Sequence, residues 1–515
     1  MASTRRATVD YQYDAAGRLV ARTVDDTAQE TFGYDALDRV VVHTDPLGQF
    51  NISYLGQTPQ KTGRQIAGTS NQTAWSYLPN SGDRRLAAID NFSIRKYQFT
   101  TMPETLVSAI TQQSASGSQT WNFGYDDANR LTAATSTSAL HYDITLDPAG
   151  NIRSALTAGG TLNWSYNELN ELVSGSTGSF TYDADGNRLT DGSARNYTWD
   201  AENRLTSVTS GSQPISQFAY DALGRRIAIT TTPSVGAPVA TAFVWCGSQI
   251  CQSRSSPQNS VLRQYYDEGE YIPSTGTRLY YGRDQLDSVR DVSAVSPQGT
   301  TVQAYDYDPF GNALQAPPAG PTPNFGYAGM YYDAGTGLYL TQYRAYDPAT
   351  ARWLSRDPVG EQAELGPQSG SPNTPNPALT AAPPLPPPDT FTPTRVTLPG
   401  QAASAPAVPP LVLYDRAATD RSNLYLYGSA DPVNRIDPLG LDPVGDLGGG
   451  INIFGGIRDC ASGTPPGVVL GVLKITLGIL QIAPDIIAGL KEIQGGIISG
   501  FQGSGLPAPR PGFAP

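Results

Sequence analysis

Short runs of alternating apolar and polar residues, each ended by an aspartate-led turn, recur along the first half of the chain. Each unit has an aromatic residue, then Asp, then Gly or Asn, which tolerate positive φ, then Arg and a second apolar run. This pattern predicts antiparallel β-hairpins in which tyrosines of successive units stack and each Arg pairs with the Asp of its own turn. The units begin at Tyr13, Tyr34, Tyr125, Tyr142, Tyr166, Tyr182, Trp199 and Tyr220.

The composition favours an all-β fold as well. Gly and Pro contribute 53 and 42 of the 515 residues, and Ser, Thr, Tyr and Val fill the alternating runs. Helical periodicity is confined to the last part of the chain. The net charge of −12 comes without a basic cluster, so we expect no nucleic-acid partner.

The stretch from Asn324 to Asp357 carries the most specific pattern, with aromatic residues, Gly turns and Asp-Pro steps at strand-and-turn spacing. It resembles the core signature of the Rhs-repeat family, which includes the C components of Tc toxins and the teneurins. The resemblance implies a hollow shell made of a spiralling antiparallel β-sheet, followed in many bacterial members by a variable toxin segment. The matching residues are Tyr331, Tyr332, Asp333, Thr336, Gly337, Leu338, Tyr339, Arg344, Tyr346, Asp347, Pro348, Arg352, Trp353, Ser355, Asp357, Pro358 and Gly360.

Composition and resemblance together divide the chain into five parts. Residues 1–320 are predicted to form the repeat sheet, and residues 321–360 the core signature. A Pro- and Ala-rich insertion, 361–420, cannot bury enough apolar surface to offset its ordering entropy, so we expect an extended linker. Residues 421–441 resume the core pattern, and 442–515 form the variable segment.

The pattern at the beginning of the chain leads us to expect that the chain is one portion of a larger shell. No apolar leader follows Met1, so no secretory signal peptide is visible, and the repeats begin almost at once. Because the resemblance implies longer shells, we expect the C-terminal portion of one, either partial or completed by another chain. The resemblance also implies export by a specialised bacterial system, with a delivery component and an immunity protein as partners.

Two Asp-Pro-x-Gly motifs are implied by the resemblance to form a self-cleaving site. In self-cleaving members these motifs face one another, and the chain is cut after the Leu that follows the second. When the motif positions of the family are transferred to this sequence, the two carboxylates belong to Asp357 and Asp437. The resemblance implies that Arg356 orients one of them. The scissile bond then joins Leu441 to Asp442. One carboxylate would take a proton from water while the other, protonated, polarises the scissile carbonyl.

A purely structural role for these motifs stays open. Asp-Pro-x-Gly is also an ordinary turn sequence, and at Asp45 and Asp147 we expect only turns. The insertion also separates the two motifs by more residues than the family pattern has, although a longer flexible loop adds only about 1 to 1.5 kcal/mol of closure entropy. The alternatives to a toxin are a non-cleaved surface protein that recognises glycans or proteins, and an inactive orphan fragment.

Three cysteines are too few for a disulfide scaffold. Cys246 and Cys251 are close enough in sequence for a crosslink across a hairpin, but the interpretation we favour is two reduced or buried thiols. Their spacing suits neither the usual zinc pair nor a redox pair, and His43 and His141 lie far upstream. We therefore expect no metal site and no cofactor.

The segment 442–515 is predicted to be the cargo of the shell. Its apolar stretch, 467–490, has Lys474 as an early charge and is close to the lower length limit for a membrane-spanning helix. Gly467 and Gly471 form a small-xxx-small pair that allows close helix packing. The segment lacks the basic surface or catalytic cluster of a nuclease, deaminase or ADP-ribosylating enzyme. We expect a short helical tail that disrupts membranes, an apolar plug within the shell, or a degenerate remnant.

Overall fold

The computed structural model describes residues 7–358 and 423–441. Within the first range it leaves out residues 26–27, 104, 177 and 317. The predictions for the insertion 361–420 and for the segment 442–515 lie outside the described residues. In the two described ranges, no helix has the length and apolar character needed to cross a membrane.

The first sheet is an antiparallel meander of fifteen strands, in which each strand pairs with the next one along the chain. Its strands are β1 (Val9–Tyr13), β2 (Leu19–Val24), β3 (Ala28–Tyr34), β4 (Val40–Asp45), β5 (Gly48–Tyr54), β6 (Lys61–Ile66), β7 (Gln72–Tyr77), β8 (Leu86–Asn91), β9 (Arg95–Thr101), β10 (Val107–Ser114), β11 (Gly117–Tyr125), β12 (Leu131–Ser136), β13 (His141–Leu146), β14 (Ile152–Thr157) and β15 (Gly160–Asn163).

The second sheet is another fifteen-stranded meander. Its strands are β16 (Ser165–Tyr166), β17 (Leu172–Gly175), β18 (Gly178–Tyr182), β19 (Arg188–Asp191), β20 (Arg195–Trp199), β21 (Leu205–Ser210), β22 (Gln213–Tyr220), β23 (Arg226–Thr231), β24 (Val239–Cys246), β25 (Gln249–Ser256), β26 (Val261–Tyr266), β27 (Gly269–Ile272), β28 (Thr277–Arg283), β29 (Val289–Ser296) and β30 (Gly299–Ala304).

A small third sheet is formed by the core signature. Its strands are β31 (Tyr331–Asp333), β32 (Leu338–Leu340), β33 (Ala345–Asp347) and β34 (Arg352–Trp353). Three single 3-10 turns complete the described structure, at Asn80–Gly82, Tyr327–Gly329 and Gly428–Ala430. The prediction of an all-β, antiparallel fold is confirmed.

Each repeat turn is built by its aspartate. In the β1–β2 hairpin, Asp14 Oδ1 accepts hydrogen bonds from the backbone N–H groups of Ala16 and Arg18, both at 2.9 Å. Its Oδ2 accepts a third bond from Arg18 Nε at 2.7 Å, and Gly17 takes a φ of +79°. The predicted pairing of Arg with the turn carboxylate is thus confirmed. The same three bonds recur at Asp35, Asp126, Asp200 and Asp221.

The predicted stacking of tyrosines from successive units is wrong. The ring of Tyr34 instead receives the guanidinium of Arg18, 4.8 Å from the ring centre, and its hydroxyl donates to Leu19 O at 2.6 Å. Tyr220 has the same relation to Arg204, at 5.0 Å. Equivalent positions of successive hairpins lie two strands, or about 10 Å, apart. That distance exceeds the reach of ring stacking, and the long Arg side chain fills the interval.

Cys246 and Cys251 are joined by a disulfide across the β24–β25 hairpin. Both cysteines are buried, as expected, but they are not reduced thiols, and the hairpin crosslink is the alternative that holds. The physical reason is strand pairing, which brings the two Cα atoms to 5.8 Å, within the range that a disulfide spans.

The core lies where the signature and the closing segment, residues 423–441, meet the two large sheets. Leu338 of β32 packs with Val208 and other inward-facing residues of the second sheet. Val433 of the closing segment packs with Leu131 and Ile144 of the first sheet. The signature therefore packs against the second sheet and the closing segment against the first.

Candidate functional site

The candidate site is organised around Arg344, in the loop between β32 and β33. The loop closes on itself, because Thr341 N–H donates to Arg344 O at 3.0 Å and Arg344 N–H donates to Thr341 Oγ1 at 3.1 Å. The guanidinium lies over the ring of Trp353, 4.3 Å from its centre, and only 2% of Arg344 is exposed. Burial and stacking fix the direction in which its N–H groups point.

Both predicted aspartates reach this arginine. Arg344 Nη2 donates to Asp357 Oδ2 at 2.9 Å and to Asp437 Oδ2 at 2.5 Å. Asp357 follows β34, Asp437 lies in the closing segment, and both side chains are buried. The positive charge offsets the repulsion between two carboxylates that share one nitrogen. The two motifs thus meet in space, although their catalytic role remains a prediction.

The chain on the N-terminal side of the predicted cleavage point is held by the same groups. Arg344 Nε donates to Gly440 O at 2.6 Å, and Leu441 N–H donates to Asp437 Oδ1 at 2.9 Å. Gly440 has a φ of +72°, and a Cβ there would lie 2.4 Å from Thr341 Oγ1. Only glycine fits this close approach. Asp442, on the far side of the predicted scissile bond, lies outside the described residues.

Arg356, predicted to orient a carboxylate, lies in a different environment. Its Nε donates to Tyr425 OH at 3.3 Å, and its Nη2 lies 3.5 Å from Glu171 Oε1. The role predicted for Arg356 stays a prediction. The residue that sequence reasoning missed is Arg344, although it belongs to the matching pattern and stands among aromatic residues, which is a signal for a buried charge.

The closing segment is docked by its backbone and by buried aromatic rings. Trp353 N–H donates to Tyr425 O at 3.2 Å. The ring of Tyr427 packs against Trp353 and Tyr346, with centres 5.7 and 4.6 Å apart. Burial raises the pKa of Tyr427 well above its usual value, and the negative charge of Asp437 raises it further. This phenol therefore stays neutral beside the carboxylates.

Comparison with protein families identifies the class of protein. The family model described as the teneurin YD-shell matches residues 85–368, and the RHS repeat model matches residues 13–49. The first match covers more than half of the chain. The chain belongs to the teneurin YD-shell family, which confirms the resemblance seen in the core signature.

The curated relatives include a nuclease and two proteins named as toxins. The chain is 29% identical over 248 residues to the tRNA3(Ser)-specific nuclease WapA of Bacillus spizizenii, which covers 45% of this chain and 10% of the relative. It is 27% identical over 300 residues to double-stranded DNA deaminase toxin A of Burkholderia cenocepacia, a match that covers 47% of this chain and 21% of the relative. The chain is 24% identical over 370 residues to toxin subunit YenC1 of Yersinia entomophaga. That match covers 68% of this chain and 34% of the relative. The chain therefore spans about a third or less of the length of these relatives.

Solved structures of Tc toxins share the fold. The chain superposes on the Photorhabdus luminescens Tc holotoxin pore with a TM-score of 0.60 and 17% identity, over 85% of this chain and 21% of that chain. Superposition on the TcdB2-TccC3-Cdc42 crystal structure gives a TM-score of 0.61 and 17% identity, and it covers 84% of this chain and 22% of that chain. The predicted shell-type β architecture is thus confirmed.

Proposed function

We propose that this chain is the shell-forming part of a Rhs-type toxin that cleaves itself once, between Leu441 and Asp442, and so releases segment 442–515. The observation that carries the proposal is that Arg344 holds the carboxylates of Asp357 and Asp437 together, beside the chain that leads to Leu441. The toxin names of two relatives support the wider role that we propose, competition between bacteria.

The chemistry requires only water and the two carboxylates. One aspartate accepts a proton from water as the oxygen forms a bond with the carbonyl carbon of Leu441, while the other donates a proton to the carbonyl oxygen. The tetrahedral intermediate collapses, the C–N bond breaks, and a proton passes to the nitrogen of Asp442. The products are a carboxyl group on Leu441 and an amine on Asp442. Arg344 contributes by holding both carboxylates in place.

The remaining parts of the proposal follow from the family and the composition. We assign residues 1–320 to the repeat sheet, 321–360 and 421–441 to the core, and 361–420 to a linker. Segment 442–515 is the cargo, whose apolar run acts on membranes. A specialised bacterial system exports the toxin together with a delivery component. An immunity protein protects the producing cell.

Intact-mass spectrometry of freshly purified chain tests the cleavage. We expect two products from the wild type, the shorter one beginning at Asp442, and a single 515-residue chain from Asp437→Asn and from Asp357→Asn. Asp147→Asn, in a turn of related sequence, is the matched control and should still be cut. Circular dichroism of each variant establishes that the β-fold is retained.

The same ion pairs also suit a second function, a permanent clamp in a binding protein that is never cut. Arg344 satisfies both carboxylates and the Gly440 carbonyl at once, as a purely structural centre would. An intact wild-type chain that binds glycans or a protein partner favours this alternative and rejects self-cleavage. Cutting that persists in both aspartate variants rejects the assignment of Asp357 and Asp437.

A further inference from the structure

A second buried cluster of ionisable groups joins the first large sheet to the second. His43 and Asp45 lie at the end of β4, and Glu268 lies in the turn between β26 and β27. One ring nitrogen of His43 and one carboxylate oxygen of each acid all lie within 4.8 Å of one another. All three side chains are buried.

The imidazole of His43 is held in one orientation. Its Nδ1 lies 3.0 Å from Glu268 Oε2, and its Nε2 lies 2.8 Å from Glu30 Oε1. The ring of Phe32 stacks on it with centres 4.9 Å apart. A histidine that binds a metal ion through one nitrogen commonly donates the other N–H to a carboxylate, as His43 does toward Glu30. Glu30 in turn pairs with Arg22.

Asp45 supplies a second, independent observation. Its Oδ1 accepts a hydrogen bond from Leu47 N–H at 2.6 Å. Its Oδ2 is buried and has no hydrogen-bond partner among the described residues, in a side chain that is 7% exposed. An oxygen buried in this way loses its hydration without compensation, so a ligand that pairs with it is favoured.

We propose that His43, Asp45 and Glu268 bind a divalent transition-metal cation of the zinc class. Two carboxylates balance the charge of the ion, and the 3.0 Å between His43 Nδ1 and Glu268 Oε2 is the spacing of two ligands that lie at about a right angle, each about 2.1 Å from one ion. Water completes the coordination. The ion links β4 of the first sheet to the β26–β27 turn of the second.

Without the ion, a proton on His43 holds the same groups together. Burial disfavours a charged imidazole, but the carboxylates of Glu268 and Glu30 outweigh it and raise the pKa of His43 to about 10. Arg64 Nη1 also lies 3.7 Å from Glu268 Oε1. A cation must displace the proton from the ring nitrogen, as metal ions do at histidine ligands generally.

Comparable turns lack this arrangement. At Asp147, Oδ2 accepts a hydrogen bond from Asn151 Nδ2 at 2.9 Å, and at Asp437 it is paired with Arg344. Asp45 is the member of this trio whose carboxylate lies close to a histidine and another acid. Asp147→Asn is therefore a matched control for Asp45→Asn.

Equilibrium dialysis of the untagged full chain against zinc, followed by elemental analysis, tests the proposal. We expect one zinc ion per chain, and more than tenfold weaker binding in Asp45→Asn and Glu268→Gln but not in Asp147→Asn. X-ray absorption of the wild-type complex needs no variant. It should show nitrogen and oxygen ligands at about 2.0–2.1 Å and no sulfur.

Three results would overturn the site. They are a wild-type chain that retains no stoichiometric zinc, equal zinc binding by Asp45→Asn and Asp147→Asn, and an absorption spectrum with sulfur at about 2.3 Å, which would place the metal on cysteine. The absorption spectrum is measured on the wild-type chain, so it tests the site even if the variants fail to fold.

Discussion

Arg344 is the residue on which the buried charges of the core depend. Arg344→Gln keeps much of the side-chain volume but leaves the carboxylates of Asp357 and Asp437 close together without a cation. Removing one partner of a buried ion pair typically costs about 3–5 kcal/mol. We expect the free energy of unfolding, measured with urea, to fall by about that amount.

Two further variants separate charge from packing in this prediction. Arg356→Gln removes an arginine whose side chain is 24% exposed, so a loss below about 1 kcal/mol is expected. Adding Asp357→Asn to Arg344→Gln removes one of the two like charges and should restore part of the stability. Equal losses in Arg344→Gln and Arg356→Gln, or no restoration, would contradict the prediction.

We expect the stability of the closing segment to depend on pH through Asp431. Burial raises its pKa to about 6, although Asn434 donates to both of its oxygens, at 2.9 and 3.0 Å. A raised pKa means that the folded state favours the protonated acid. The contribution of Asp431 is therefore fully present below pH 4 and is lost as the pH rises to about 6, a change of about 3 kcal/mol.

Urea unfolding at pH 4.5 and pH 7.5 measures this change. Asp431→Asn carries no titrating proton, so its stability relative to the wild type should improve at the higher pH. Asp185→Asn removes a carboxylate from an exposed turn and shows the effect of lost charge alone. A difference between wild type and Asp431→Asn that is the same at both pH values would refute the prediction.

Identical turn sequences acquire different roles from residues far away in the chain. Asp45 and Asp437 both begin Asp-Pro-Leu-Gly. Asp437 meets Arg344, whereas Asp45 meets His43 and the distant Glu268. The expectation of no metal site considered spacing along the chain, and that spacing contains no information about Glu268. Only the packing of the two sheets separates the roles of these aspartates.

At the scale of the hairpin, the turn aspartate accepts three hydrogen bonds within its own turn. Asp221 Oδ1 accepts from the N–H groups of Leu223 and Arg225, and Oδ2 accepts from Arg225 Nε. Asp221→Ala removes all three bonds, and we expect a loss of about 1–3 kcal/mol. Hydrogen exchange of the Leu223 and Arg225 amides should accelerate accordingly.

The same hairpin offers a control. The side chain of Leu223 is among the exposed large hydrophobic residues, with 69% exposed. Leu223→Ala should therefore change stability by no more than about 0.5 kcal/mol. If it accelerates exchange as much as Asp221→Ala does, the aspartate is not the residue that holds the turn.

The hairpins were predictable because their signal is local. Asp14, Gly17 and Arg18 form the turn within five residues, and the three hydrogen bonds that Asp14 accepts all lie inside that window. The stacking of tyrosines was not predictable in this way, because it depends on the distance between strands. The contact of Tyr34 with Arg18 became visible only when both strands were placed in one sheet.

At the scale of the whole molecule, the two large sheets are joined by contacts that no sequence window contains. Arg278 Nε donates to Pro46 O at 3.0 Å, and Asn91 Nδ2 donates to Arg283 O at 3.1 Å. The family resemblance predicted a shell, and the meeting of its two aspartates followed from that resemblance rather than from spacing. Arg344 had no predicted role because its partners lie on both sides of the insertion.

The closing segment is predicted to stay docked after the chain is cut within 361–420. Asn423 Nδ2 donates to Asn151 Oδ1 at 2.6 Å, and Asn434 Oδ1 accepts from Val107 N–H at 2.8 Å, so this segment is bound to the first sheet independently of the linker. Cutting at a protease site placed in 361–420 should give two pieces that co-elute in gel filtration. Asn434→Ala removes the bond to Val107 and should make the pieces separate at lower urea concentration. Wild-type pieces that separate without denaturant would show that the linker, rather than the buried contacts, keeps the segment in place.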